Sequence, residues 1–112
     1  MIPLAPVSLR RMGLTLKGEI VGLYLLAGVQ HGFRLSGGSF STIAPPGAVL
    51  TSAVGINPQG DIVGLYLAAG AFHGFLLTGG SFTAIDFSGA DFTQALGINP
   101  EGDIVGSYDL PM

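Results

Sequence analysis

The sequence predicts an all-β protein made of tandem four-stranded antiparallel meanders resembling propeller blades. The stretch Gly55-Ile56-Asn57-Pro58-Gln59-Gly60-Asp61-Ile62-Val63-Gly64 returns almost unchanged from Gly97 to Gly106, an offset of 97 − 55 = 42 residues. Periods of that length mark repeat architectures. Short β-branched and aromatic runs alternate with glycine turns, and no helical periodicity persists for ten residues. With 48% hydrophobic residues, 10% charged and 19 glycines, the chain is too apolar for disorder and lacks the period of collagen.

Aligned without a gap, residues 18–50 match residues 60–92 at 20 of 33 positions, and 51–66 match 93–108 at 12 of 16. The 112 residues therefore form a single β-repeat domain: repeat 1 over 9–50, repeat 2 over 51–92 and a half repeat over 93–112.

Each full repeat has four strand positions, A to D. In repeat 2 these are Thr51 to Ile56, Asp61 to Ala68, Ala71 to Thr78 and Ser81 to Phe87. Asn57-Pro58-Gln59-Gly60 suits a type I turn ending in a left-handed glycine, while Ala69-Gly70 and Gly79-Gly80 suit two-residue hairpins. In repeat 1, Arg10 to Leu16 supply a degenerate A strand, with Leu14-Thr15-Leu16-Lys17 where Ile56-Asn57-Pro58-Gln59 stands later. Thr93 to Ile98 and Asp103 to Asp109 are strands A and B of the third copy. The longer D-to-A connections, Ala44 to Val49 and Asp86 to Asp91, mark where one sheet stops and the next begins.

The two-residue loops set the register. Tyr24 falls opposite His31 and Gly22 opposite Phe33; in the next copy Tyr66 meets His73 and Gly64 meets Phe75. A ring beside a glycine covers exposed backbone. Both faces of the unit are apolar, so each sheet is expected to be covered on both sides, as stacked propeller blades are.

Asn57, Gly60, Asp61, Gly64 and Tyr66, followed by His73-Gly74-Phe75 and Gly79-Gly80-Ser81-Phe82, resemble the bacterial extracellular repeats of the HAF family, named for a His-Ala/Gly-Phe core. His31-Gly32-Phe33 and Asn99, Gly102 and Asp103 carry the same signature. The resemblance implies an extracellular or cell-surface setting and a propeller-like β architecture, and it implies no catalytic activity.

His31 and His73 are the obvious metal or proton-shuttle candidates. They recur once per repeat without a nearby second ligand, and the competing expectation is a packing pair with Tyr24 and Tyr66. A catalytic residue is needed once; a packing residue is needed in every copy. Asp61 and Asp103, with Asn57 and Asn99, could hold calcium through clustered oxygens, yet turn chemistry explains the same residues. No nucleophile elbow, metalloprotease helix, phosphate loop or dinucleotide fingerprint occurs, so no enzyme, metal or cofactor is expected.

The net charge of −3 argues against nucleic acid, which needs clustered cations. Its distribution is uneven: +4 − 1 = +3 over residues 1–50 and −6 over residues 51–112. Ile62 to Leu77 is apolar but too short and too glycine-rich for a membrane helix. Cysteine is absent, so redox chemistry gives no compartment. Met1 to Leu16 shows no secretion signal, leaving that signal missing, processed or outside this sequence.

Repeat units bury their faces only by stacking, and two and a half copies leave an edge near Ile104 to Tyr108 that lysine does not guard. The expectation is a homo-oligomer or polymer, a ring or a filament, joined head to tail through the basic Arg10 and Arg11 and the acidic end around Ile104, Tyr108 and Asp109. The alternative is a binding module that takes a glycan or protein at the D-to-A connections.

Overall fold

The computed structural model describes residues 7–111, so the reading of Met1 to Leu16 as lacking a signal lies partly outside the described residues. Among the described residues there are ten strands and no helix. The first sheet contains β1 (Val7–Leu14), β2 (Ile20–Leu26), β3 (Val29–Ser36) and β4 (Ser39–Ile43), each antiparallel to the next. The second contains β5 (Leu50–Ile56), β6 (Ile62–Ala68), β7 (Ala71–Thr78) and β8 (Ser81–Ile85), followed by β9 (Phe92–Ile98) and β10 (Ile104–Asp109).

The expected registers are present. Tyr24 pairs His31 and Gly22 pairs Phe33; Tyr66 pairs His73 and Gly64 pairs Phe75. The hairpin turns impose them. Ala27 and Gly28 have φ of 52° and 79°, Ala69 and Gly70 of 51° and 78°, so both central residues are left-handed as a type I′ turn demands. Asn57 N–H donates to the Asp61 carbonyl at 3.1 Å and Gly60 N–H to the Asn57 carbonyl at 2.9 Å, closing the turn between β5 and β6.

Several boundaries differ from expectation: β5 and β9 begin one residue earlier, at Leu50 and Phe92, and β6 and β10 one residue later, at Ile62 and Ile104. β1 begins at Val7 and ends at Leu14, not Arg10 to Leu16, because Thr15 begins a turn like that of Asn57: its N–H meets the Glu19 carbonyl at 2.9 Å and its carbonyl takes Gly18 N–H at 3.0 Å. Thr15 Oγ1 accepts Glu19 N–H at 3.1 Å, so a hydroxyl replaces the asparagine amide oxygen. β8 ends at Ile85 rather than Phe87, since Phe87 already belongs to the turn that Ala90 N–H closes on its carbonyl at 3.0 Å. Strands β9 and β10 do not stand apart as a third sheet: one parallel bridge, Phe72 to Phe92, joins β9 to β7. The two rings lie 5.0 Å apart, where Gln30 and Leu50 hold the corresponding places one repeat earlier.

A feature the sequence reading missed is a β-bulge in every A strand. The register skips Met12, Val54 and Leu96 in turn. Each bulge brings a carbonyl of its strand directly over a glycine of the neighbour: Arg10 over Gly22, Ser52 over Gly64 and Gln94 over Gly106. No side chain has room there, which explains why Gly22, Gly64 and Gly106 are glycine.

Strand β5 crosses the first sheet, lying against β1, β2 and β3, and β9 crosses the next in the same way, against β5, β6 and β7. A Cβ on Gly13 would stand 3.4 Å from the Gly55 Cα, and one on Gly55 would stand 3.4 Å from the Gly97 Cα. The A strands therefore stack backbone on backbone through a column of three glycines. The core lies between the sheets, where Val21 and Ile43 meet Ala53, Ile62 and Phe75, flanked by Ile56, Tyr66, Leu77 and Phe82. Burying a side chain such as Phe75 contributes about 1.5–3 kcal/mol.

Candidate functional site

The recurring His-Gly-Phe run is resolved into three packing roles. The His73 ring stacks obliquely on Tyr66 with centroids 5.2 Å apart, as His31 stacks on Tyr24 at 5.0 Å. Gly74 admits the following repeat: a Cβ there would lie 3.2 Å from Ala95 N, and one on Gly32 would lie 3.1 Å from the Thr51 methyl. Phe75 fills the space over Gly64 and is fully buried, as Phe33 is over Gly22.

His73 Nδ1 lies 2.6 Å from Asp86 Oδ1 and its Nε2 lies 3.2 Å from the Ala68 carbonyl, so both ring nitrogens face oxygen atoms of the chain itself. Among the described residues, no group of three or more His, Cys, Asp or Glu side chains is placed to hold a metal ion. Burial against its neighbours, with a contribution from the Asp86 charge, holds the Tyr66 hydroxyl above the usual phenol range.

Asn57 and Asp61, read above as turn residues or calcium ligands, form a closed network. Asn57 Oδ1 accepts Asp61 N–H at 2.9 Å, and Asn57 Nδ2 donates both to Asp61 Oδ2 and to the Asn99 carbonyl, each at 3.1 Å. The last bond links one repeat to the next. Thr78 Oγ1 donates to Asp61 Oδ1 at 2.6 Å. The Thr78 and Asn57 hydrogen bonds hold the Asp61 carboxyl below its usual range. In repeat 1, Glu19 takes that role, accepting from Arg34 Nη2 at 2.7 Å and Ser36 Oγ at 3.3 Å; the Arg34 bond chiefly lowers its pKa against the opposing effect of burial.

The third copy has the same parts with different surroundings. Asn99 and Asp103 repeat the internal bonds, at 3.1 Å and 2.7 Å, while both residues are exposed. Val21 and Val63 are 0% exposed, whereas Val105, the same residue one repeat on, is 68% exposed. A Cβ on Gly97 would meet only the Val105 side chain. Among the described residues the outer face of the β9–β10 hairpin is thus open, against the expectation that every sheet is covered on both sides. Gly102 keeps its turn, donating its N–H to the Asn99 carbonyl at 3.0 Å.

On the inner side of the same hairpin is a cavity of about 440 Å³, lined by Ile85, Asp86 and Phe87 across from Thr93, Ala95, Ile104, Gly106, Ser107 and Tyr108. Phe87 and Tyr108 stack at its rim with centroids 3.7 Å apart. Of the proposed self-association residues, Ile104, Tyr108 and Asp109 share β10, while Arg10 and Arg11 are exposed on β1 in the other sheet. Sequence reasoning named Ile104 and Tyr108 but missed Val105, Ala95 and Gly106. Shifting the partners of Val63 and Phe75 by one repeat would have found all three.

No family model, curated protein or solved structure matches the chain. Among the described residues, no helix is long and apolar enough to cross a membrane.

Proposed function

We propose that the chain is a non-enzymatic, extracellular structural repeat that self-associates head to tail, sheet upon sheet in the manner of propeller blades. The observation that carries this reading is the valine series: Val21 and Val63 are 0% exposed beneath a following repeat, and Val105 is 68% exposed with nothing over it among the described residues. A strand laid on that face would stack a glycine on Gly97 and offer a turn carbonyl to Asn99 Nδ2, as β9 does for Gly55 and Asn57.

Strand β1 of a second copy carries both features, with Gly13 at the stacking position and the Thr15 carbonyl in the turn that follows. Charge favours the same polarity, since Arg10 and Arg11 lie within the incoming strand and Asp103 and Asp109 stand at the two ends of the receiving strand β10. Such a heterologous contact closes a ring or continues as a filament. The resemblance to HAF repeats supports the extracellular setting.

Light scattering at rising concentration, with negative-stain electron microscopy of the same sample, tests the reading. The expected result is rings or filaments whose mass is a multiple of the chain's, reduced to single chains by Val105→Glu. A wild-type protein that stays monomeric at about 1 mM would sink it.

A second reading, a binding module for a glycan or protein at the D-to-A connections, is favoured by the exposed Phe87–Tyr108 pair beside the Asp86 to Asp91 connection. Its mark would be ligand binding by a monomer that Phe87→Ala abolishes.

A further inference from the structure

The cavity inside the β9–β10 hairpin is a third instance of a site the molecule fills twice. In repeat 2, Phe75 occupies the space bounded by Gly64, Ala53, Ile62 and, from the preceding sheet, Ile43. One repeat later the same walls are Gly106, Ala95, Ile104 and Ile85, and they enclose the 440 Å³ slot. Among the described residues β10 pairs with β9 alone, so the edge beside the slot presents unpaired backbone groups.

We propose that the slot and this edge form an acceptor site for a β-hairpin of another polypeptide carrying a His-Gly-Phe run, added antiparallel to β10. The register follows from β7 on β6, where Tyr66 pairs His73, Gly64 pairs Phe75 and Ile62 pairs Leu77. Moved by one repeat, the donor's histidine stacks on Tyr108 and its phenylalanine enters over Gly106. The hydroxyl residue that ends its strand then reaches Asp103, as Thr78 at the end of β7 reaches Asp61 at 2.6 Å. Main-chain pairing supplies affinity and the aromatic pocket supplies specificity, as in other strand-addition complexes. This site lies on the opposite face from Val105 and requires no self-association.

The probe is a fluorophore-labelled synthetic peptide with the sequence of residues 71–85, titrated into the full chain and followed by anisotropy. The expected result is saturable one-to-one binding, weakened at least about tenfold when the peptide carries Phe75→Ala. In the protein, Tyr108→Ser is expected to weaken binding about fivefold, with circular dichroism confirming the fold. Val105→Glu, which disrupts the outer face, is expected to leave peptide affinity unchanged, so this site and head-to-tail assembly fail independently. Absence of saturation up to about 1 mM, or equal binding of the Phe75→Ala peptide, would overturn the proposal.

Discussion

Glycine positions separate into those that face backbone and those that face a side chain, and the distinction predicts what substitution does. A methyl on Gly64 would run into the Ser52 carbonyl and stand 2.8 Å from the Phe75 ring. Neither can retreat, because the carbonyl belongs to the bulge and the ring is fully buried. Gly64→Ala should therefore cost about 3 kcal/mol, measured by urea denaturation. On Gly97 the same methyl would meet only a Val105 methyl at 3.3 Å, so Gly97→Ala should lie within about 1 kcal/mol of wild type. At the hairpin tip, Ala69 is held at φ 51°, a conformation that costs an L-residue energy and that asparagine tolerates. Ala69→Asn should raise stability by about 0.5–1 kcal/mol in the same assay. Gly64's pairing with Phe75 could be read from loop lengths alone; the bulge that makes glycine obligatory there could not, because a bulge is defined only against its partner strand.

Among the elements, the Asn-Pro-x-Gly-Asp turn contributes most to joining the repeats. Asn57 is buried and its side chain engages Asp61 twice and the Asn99 carbonyl once, whereas the Asn99 side chain makes only the bonds within its own turn and is exposed. Asn57→Ala should destabilise by about 1–3 kcal/mol, and Asn99→Ala by clearly less, as thermal unfolding of the two variants would show. The carboxylates of these turns make stability depend on pH. The folded pKa of Asp61 lies below its unfolded value of 3.8, and that of Glu19 below 4.5. Their stabilisation is fully present above those values and is lost as pH falls through the folded pKa. Urea midpoints should be flat from about pH 6 to pH 8 with respect to these groups and drop below about pH 4, with a smaller drop in Asp61→Asn. The turn itself was legible because Asn, Pro and Gly occur in the order a type I turn requires; the bond from Asn57 to Asn99 was not, since it spans 42 residues and exists only once the repeats stack.

For the whole molecule, the charge difference between the two parts of the chain predicts how assembly responds to salt. Residues 1–50 carry +3 and residues 51–112 carry −6, so head-to-tail contact should strengthen at low ionic strength. Raising salt from about 0.02 M to 0.5 M should lower the mass seen by light scattering, unless burial of Val105 outweighs the charges. A mass that is unchanged by salt and still abolished by Val105→Glu would place the interaction in the apolar face alone.

By itself the sequence determined the all-β class, the 42-residue period, the hairpin turns and the cross-strand partners, because these depend on local chemistry: two-residue loops set register, and alternation sets which side chains share a face. Only the tertiary structure decided how β9 meets β7, why the A strands bulge, and which copies of Val, Asn and Gly are covered. Val21, Val63 and Val105 have the same local sequence, Ile-Val-Gly, and the environment of each depends on what lies across the sheet from it. Local sequence encodes the strand and its turn, whereas exposure is a property of the stack.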